Sequence, residues 1–123
     1  MPSTVLLVED QVDLADLWSE ILQSSGWTVA HAASLAEARA HAAPVALAIV
    51  DWTLPDGTSE ALVTELVARG ARVIVTTGHS APTALAATAA GASRVLQKPF
   101  TLRSLVAAAG APFTDPSDSP PPS

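Results

Sequence analysis

The 123-residue chain contains no cysteine and few basic side chains. Without cysteine it has no disulfide, no thiolate nucleophile and no cysteine-ligated metal, and it fits a reducing compartment. Only 6 lysine and arginine residues stand against 12 acidic ones, which gives a formal net charge of −6. Because there is no basic stripe to bind a phosphate backbone, the composition argues against a nucleic-acid-binding protein.

Sequence signals for several other classes of protein are missing as well. The first residues, MPSTVLLVED, contain no basic segment and no long apolar span, so we expect neither a signal peptide nor a membrane helix, and a cytoplasmic location. The sequence has no G-x-S-x-G motif of serine hydrolases, no G-x-G-x-x-G and no P-loop. Its histidines, His31, His41 and His79, do not share a metal-ligand spacing.

Short apolar segments alternate with segments of helical periodicity along most of the chain. The five strand candidates are residues 4–8, 27–32, 46–50, 72–76 and 94–97. They lack the alternation of apolar and polar residues that marks a half-exposed strand, so we expect both faces of the sheet to be buried. Strands that alternate with helices predict βαβ units, and therefore a parallel sheet with helices on both faces.

Five helices are predicted between and after these strands. The second begins with an S-x-x-E capping box at Ser34 and Glu37, and the fourth, at roughly residues 81–90, has Leu85 as its only large apolar side chain. The other three are marked by apolar residues at helical spacing: Leu14, Leu17, Trp18, Ile21 and Leu22 in the first, Leu62, Val63, Leu66 and Val67 in the third, and Leu102, Leu105 and Val106 in the fifth. The last segment, 111–123, reads APFTDPSDSPPPS and is predicted to be a disordered tail.

Polar side chains gather where the predicted strands end. In an open α/β sheet the ligand site lies beyond the carboxyl ends of the strands, at the point where the strand order reverses. The residues at or just after these ends are Glu9, Asp10, Asp51, Thr77, Gly78 and Lys98. We therefore expect three carboxylates, a hydroxyl and an ammonium group to meet at one edge of the sheet.

These side chains suit phosphoryl chemistry. Three clustered carboxylates repel one another, and a hard divalent cation such as Mg²⁺ relieves that repulsion. Asp51 is then available as a nucleophile toward phosphorus, forming an aspartyl phosphate. Lys98 can neutralise charge on the transferring phosphoryl oxygens, and Thr77 offers a hydroxyl donor.

Each of these residues also has a purely structural interpretation. Asp10 is placed to be the N-cap of the first helix, which by itself is the simpler explanation. Lys98 is also consistent with a surface lysine or a structural partner of Asp51, and Thr77 with a packing residue in a strand. Asp51 is harder to explain in this way, because a carboxylate that closes a buried strand is costly without a partner.

The motifs VED, LAIVDWTLPDG, VIVTTG and RVLQKPF, in this order and spacing, resemble a receiver domain of the response regulators of two-component systems, of the stand-alone chemotaxis kind. The resemblance covers roughly residues 4–109. It implies a flavodoxin-like, doubly wound α/β fold with a five-stranded parallel sheet in the order 2-1-3-4-5 and five helices. The receiver domain would occupy residues 1–110, with the tail at 111–123.

The resemblance implies a phosphoacceptor and a metal site. Asp51 would accept the phosphoryl group, and Asp10, Asp51 and the backbone carbonyl of Thr53 would bind Mg²⁺. Glu9 would assist directly or through a water, and it stands where the family more often has aspartate. Thr53 and His79 occupy the family's two variable positions, which tune how readily water attacks the acyl phosphate.

The resemblance also assigns the residues that bind and sense the phosphoryl group. Lys98 would bind it, with a cis peptide between Lys98 and Pro99, while Gly78 would keep the entrance open to the donor. Thr77 would be the switch hydroxyl that moves toward bound phosphate. Val95 departs from the family, which usually has tyrosine or phenylalanine at this position. Since that aromatic ring normally moves inward with the threonine, Thr77 would here couple to a different element or switch more weakly.

The leading hypothesis is a single-domain response regulator that catalyses only its own phosphorylation and dephosphorylation and is not otherwise an enzyme. It would take a phosphoryl group on Asp51, with Mg²⁺, from a histidine kinase or a histidine phosphotransfer protein. It would be a monomer or weak dimer and would act by docking to a downstream protein or by phosphorelay. It would bind neither nucleic acid nor a membrane.

One alternative is a receiver-like interaction module that is not phosphorylated. The other, less favoured, is an aspartyl-phosphate phosphohydrolase, whose usual D-x-D pair and cap domain are missing.

Two further predictions concern behaviour in solution. The helix at 81–90 offers little large apolar surface to bury, so it should be the least protected from hydrogen exchange and should become ordered on phosphorylation or metal binding. Trp52 is the neighbour of Asp51 in the sequence, so its fluorescence should change when Mg²⁺ or a phosphoryl analogue binds.

Overall fold

The computed structural model describes residues 3–41, 43–78 and 81–110 of the chain. His79 and the predicted tail at 111–123 lie outside the described residues. Within the described ranges, no helix is both long enough and apolar enough to span a membrane.

Strands and helices alternate along the described chain, as the sequence predicts. The strands are β1 (Thr4–Val8), β2 (Thr28–Ala32), β3 (Leu47–Asp51), β4 (Thr53–Leu54), β5 (Gly57–Thr58), β6 (Arg72–Thr77) and β7 (Arg94–Gln97). The helices are α1 (Val12–Ser24), α2 (Leu35–Ala40), α3 (Glu60–Ala68), α4 (Ala81–Ala90) and α5 (Leu102–Ala109). Asp51 is the last residue of β3, so the nucleophile candidate is held by the sheet itself.

The main sheet has five parallel strands in the order β2-β1-β3-β6-β7. Counted along the chain among the strands of this sheet, that is the order 2-1-3-4-5, so the predicted fold is confirmed. The strand order reverses between β1 and β3, where Val8 pairs with Val50. A short antiparallel hairpin, β4–β5, forms in the loop after β3, where the sequence indicated only a turn.

Alternate residues of each central strand enter two separate hydrophobic clusters, one on each face of the sheet. Leu6 and Val8 of β1 join the cluster covered by α2, α3 and α4, which we term the α2–α4 face. Val5 and Leu7 join the cluster covered by α1 and α5, which we term the α1/α5 face. The burial of both faces explains why the strands read as continuously apolar.

Some apolar residues at helical spacing remain exposed. Leu17 belongs to the apolar stripe predicted for α1, yet it is 45% exposed, because the helix contacts the sheet through Ala15, Trp18 and Leu22. Leu85 of α4 is 73% exposed, so the one large apolar residue of this helix does not enter the core. The attachment of α4 therefore depends on smaller side chains than those of α1.

The hairpin after β3 is tied to the start of α2. Ser34 is the N-cap, and its hydroxyl accepts a hydrogen bond from Glu37 N at 3.1 Å, as the predicted capping box requires. Glu37 Oε1 accepts a hydrogen bond from Ala33 N at 3.2 Å, one residue before the expected donor. Asp56, in the turn between β4 and β5, accepts one from Leu35 N at 3.0 Å, and this bond lowers the pKa of Asp56. These contacts fix the loop next to the site.

Candidate functional site

Four strands of the main sheet deliver polar side chains to one edge, as expected for parallel strands. Glu9 directly follows β1, and Asp51 ends β3. Thr77 ends β6, and Lys98 directly follows β7. The site therefore lies at the carboxyl edge of the sheet, across the position where the strand order reverses.

The ammonium group of Lys98 joins two carboxylates from different strands. Its Nζ lies 2.9 Å from Glu9 Oε1 and 2.9 Å from Asp51 Oδ2. The remaining carboxylate oxygens are also engaged, since Glu9 Oε2 accepts a hydrogen bond from Gln11 N at 3.1 Å and Asp51 Oδ1 one from Thr53 N at 3.3 Å. Glu9 is fully buried, while the Lys98 side chain is 21% exposed. The triad is thus a partly buried ion-pair network rather than a surface salt bridge.

Burial and pairing set the charges of this network. Burial raises the pKa of Glu9, and the hydrogen bond from Lys98 only partly offsets that effect. Burial by itself lowers the pKa of Lys98, but its hydrogen bonds to Glu9 and Asp51 outweigh burial and raise it. Lys98 therefore stays protonated at neutral pH, and burial makes the charged form of Glu9 less favourable than that of an exposed glutamate.

Asp10 completes an acidic cluster that fits a divalent cation. One carboxylate oxygen each from Glu9, Asp10 and Asp51 lies within 4.8 Å of the others. Oxygen ligands from carboxylates are those that Mg²⁺ prefers, and the negative charge they share is what such a cation would neutralise. The N-cap of α1 is Gln11 and not Asp10, so the structural interpretation of Asp10 as a helix cap is wrong.

Thr77, Gly78 and Lys98, which were predicted to surround the phosphoryl group, lie at this same edge of the sheet. The structure does not describe His79. Thr77 is 1% exposed, and its carbonyl oxygen accepts a hydrogen bond from Lys98 N at 2.7 Å. A Cβ added at Gly78 would meet no described heavy atom within 4 Å, so the space in front of this residue is open. The peptide between Lys98 and Pro99 is cis, as predicted.

Val95, the departure from the family pattern, is half-buried. It pairs with Val75 in the sheet and packs against the cluster of the α2–α4 face. The position therefore serves as packing in this chain, and its side chain carries no ring that could swing between two orientations.

Trp18 contacts the site, whereas the sequence placed it only in the apolar stripe of the first helix. It is indeed buried, at 5% exposure, but Lys98 Nζ also lies 5.6 Å from the centroid of its ring. The ring packs against Phe100, with centroids 5.1 Å apart and planes tilted by 32°. No local signal reveals this contact, because α1 and the segment after β7 are distant in the sequence.

Two other polar groups near the site were also not predicted. His31 Nε2 lies 2.8 Å from the backbone oxygen of Glu9, so this exposed histidine touches the strand end that presents the carboxylate. Thr76, the sheet partner of Asp51, is fully buried, and its hydroxyl has no hydrogen-bond partner among the described residues. A threonine at this strand position reads from sequence simply as a packing residue.

An apolar groove of about 460 Å³ opens beside the site. Its lining residues are Leu14, Leu17, Trp18, Lys98, Pro99, Phe100 and Leu102. The groove therefore runs along α1 and the start of α5, and Lys98 is the one charged residue among the described residues that line it.

The comparison with known proteins identifies the class to which this geometry belongs. The response regulator receiver domain matches residues 5–110, so the chain belongs to that family, and the resemblance seen in the sequence is confirmed. The domain is thus a receiver module of two-component signalling. No curated protein gives a significant match.

Solved structures share the fold. A response regulator protein from Burkholderia pseudomallei, determined with a phosphorylated aspartic acid, a calcium ion and citrate, is 29% identical with a TM-score of 0.78, over 86% of this chain and 65% of that one. A CheY-like receiver domain protein from Methanospirillum hungatei JF-1 is 26% identical with a TM-score of 0.80, over 89% and 91% of the two chains. The chemotaxis protein CheY4 from Vibrio cholerae is 26% identical with a TM-score of 0.78, over 89% and 97%.

Proposed function

We propose that this receiver domain is a phosphorylation switch in which Asp51 accepts a phosphoryl group from a histidine kinase or a histidine phosphotransfer protein. The observation that carries the proposal is the meeting of Asp51 with two further carboxylates and with the Lys98 ammonium at 2.9 Å. The related Burkholderia protein, which has a phosphorylated aspartic acid and a calcium ion, supports it. The domain then signals by docking to a downstream protein or by passing the phosphoryl group on.

Asp51 is positioned as a nucleophile. Its backbone is held by the ladder between β3 and β6, and the hydrogen bonds from Thr53 N and Lys98 Nζ orient its carboxylate. A carboxylate oxygen forms the new bond to phosphorus as the bond between phosphorus and the donor group breaks. The open space at Gly78 gives the donor a route to this oxygen.

Glu9, Asp10 and Asp51, with the backbone carbonyl of Thr53, are the residues that would hold Mg²⁺. When bound there, the ion supplies positive charge that offsets the charge of the carboxylates and of the phosphoryl oxygens. Burial raises the pKa of Glu9, so protons compete with the ion for this ligand and binding should weaken in acid.

Lys98 and Thr77 stabilise the product. Lys98 already contacts Asp51, and it neutralises a phosphoryl oxygen once Asp51 carries the group. Thr77 donates its hydroxyl to the same group and moves toward it, so the end of β6 changes with phosphorylation. Thr53 and His79 set how readily water reaches the acyl phosphate. Val95 has no aromatic ring of the kind that transmits this change elsewhere in the family. The change at the end of β6 therefore reaches the protein surface through a different part of the structure.

Intact-mass measurement after incubation with Mg²⁺ and acetyl phosphate tests the proposal. The wild-type chain should gain one labile phosphoryl adduct, and Asp51→Asn should gain none. Asp16→Asn is the matched control, because it removes an exposed carboxylate of α1 outside the site and should leave the adduct unchanged.

The other functions predict different outcomes. Rapid multiple turnover of phosphomonoesters would show a phosphohydrolase. Absence of an adduct, both from acetyl phosphate and from a phosphorylated histidine phosphotransfer protein, would show an interaction module that is not phosphorylated. An adduct that persists in Asp51→Asn would contradict the assignment of the acceptor.

A further inference from the structure

Trp18 gives Lys98 a contact in addition to those with its two carboxylates. The ammonium lies 5.6 Å from the ring centroid, within the ~6 Å over which the face of an aromatic ring attracts a cation. We propose that Trp18 is a positioning residue that holds Lys98 over the site through this cation–π contact. The inference rests on the proposed role of Lys98 in binding the phosphoryl group.

Lys98 needs such a contact because its two carboxylate partners are also proposed metal ligands. Glu9 and Asp51 each accept a hydrogen bond from Lys98 at 2.9 Å, and both belong to the set proposed to bind Mg²⁺. Once these carboxylates share their charge with a divalent cation, they attract the lysine less strongly. The ring of Trp18 is not a ligand for a hard cation, so its attraction for Lys98 remains.

The ring is itself held in place. Trp18 is 5% exposed and packs against Phe100 with centroids 5.1 Å apart. Phe100 lies in the segment that carries Lys98, while Trp18 belongs to α1, so the aromatic pair joins this segment to the helix. Because the ring is already ordered, it holds the lysine with little further loss of conformational entropy.

Three substitutions separate an aromatic contact from simple packing. Trp18→Leu keeps an apolar side chain and removes the aromatic face, whereas Trp18→Phe keeps a smaller face. Trp27→Leu is the matched control, since Trp27 is buried to a similar degree, at 6% exposure, at the opposite edge of the sheet. There its indole N–H donates to the oxygen of Gly110 at 3.1 Å, far from the acidic cluster.

The first measurement reports the position of the lysine without any phosphodonor. Lys98 is the only lysine in the sequence, so protein labelled with ¹⁵N-lysine has a single side-chain ammonium signal. In the wild-type chain the ring should shift this signal and slow exchange of its protons with water. Trp18→Leu should lose the shift caused by the ring and exchange its ammonium protons faster than wild type, Trp18→Phe should fall between the two, and Trp27→Leu should match wild type.

The second measurement is the rate of adduct formation from acetyl phosphate with Mg²⁺. We expect a rate about 3- to 10-fold lower for Trp18→Leu, within about 2-fold of wild type for Trp18→Phe, and unchanged for Trp27→Leu. If Trp18→Leu does not fold, fluorinated tryptophan keeps the shape of the ring while withdrawing electron density from its face. The rate should then fall with increasing fluorination in the wild-type chain but not in Trp18→Phe.

The outcomes distinguish this inference from the proposed function. The positioning role would be overturned if neither Trp18→Leu nor ring fluorination changed the rate of adduct formation. It would also be overturned if the lysine signal were unchanged in Trp18→Leu. A wild-type chain that gains no adduct, while Trp18 still governs the lysine signal, would instead refute the proposed function and support the contact.

Discussion

Lys98 forms ion pairs with two carboxylates at once, so replacing it by methionine tests the electrostatics of the site most directly. Methionine keeps an unbranched apolar stem but removes the charge and the hydrogen bonds to Glu9 and Asp51, both at 2.9 Å. Glu9 is fully buried, and the side chains of Asp51 and Lys98 are 10% and 21% exposed. The variant therefore leaves adjoining carboxylates without the cation that separates them.

The size of the effect follows from this burial. Removing one partner of a buried ion pair destabilises a protein by about 3–5 kcal/mol. We expect the lower end, about 3 kcal/mol, because Lys98 is partly exposed and because Glu9, whose pKa is already raised, can take up a proton. A domain of this size lies between smaller ones that lose about 4–8 °C per kcal/mol and larger ones that lose about 2–4 °C, so the melting temperature should fall by roughly 10 °C.

Urea denaturation near neutral pH, without divalent cations, measures the loss. Arg103→Met is the matched control, since it removes one positive charge from an exposed position of α5 and should change stability little. The deficit of Lys98→Met should shrink in mildly acidic solution, where Glu9 binds a proton, and also when Mg²⁺ is added. The reasoning is refuted if Lys98→Met is as stable as wild type, or if neither acid nor Mg²⁺ reduces its deficit.

Four other properties can be checked in the same way. Thr76→Val removes a buried hydroxyl that has no hydrogen-bond partner among the described residues, so it should raise the free energy of unfolding by about 1 kcal/mol. Thr77→Val should not raise it, because Thr77 does have an interaction. A destabilised Thr76→Val would show that the hydroxyl of Thr76 is satisfied. Because burial raises the pKa of Glu9, the stability of wild type relative to Glu9→Gln should fall as the pH rises above the ordinary glutamate value of about 4.3, and a difference constant with pH would contradict this. Hydrogen exchange should be fastest in α4 and should slow there on phosphorylation, so equal protection of all five helices would count against a loosely held α4. Trp52 fluorescence should change on Mg²⁺ binding, and a Trp52→Phe chain that keeps the whole change would assign the signal to another tryptophan.

Periodicity in the sequence was enough to predict the layers of this fold and the edge at which its site lies. Apolar strands alternating with helical segments restrict the chain to few arrangements, and parallel βαβ units bring every strand of the sheet to the same carboxyl edge. For that reason Glu9, Asp51 and Lys98 could be expected together before any distance between them was known. The strand order came from the family resemblance, since periodicity does not distinguish one order of parallel strands from another.

The contacts made by individual atoms depended on how the helices and loops pack. Asp10 was expected at this edge, but the sequence also allowed it to be a helix cap, and only the structure shows that Gln11 is the N-cap of α1 while Asp10 joins the acidic cluster. Trp18 meets Lys98 because α1 and the segment after β7 lie side by side on the α1/α5 face. Such contacts join residues that are distant in the sequence, and they change with shifts of an ångström or two in the placement of a helix. Neither composition nor periodicity records displacements of that size, so these contacts could be read only from the packed molecule.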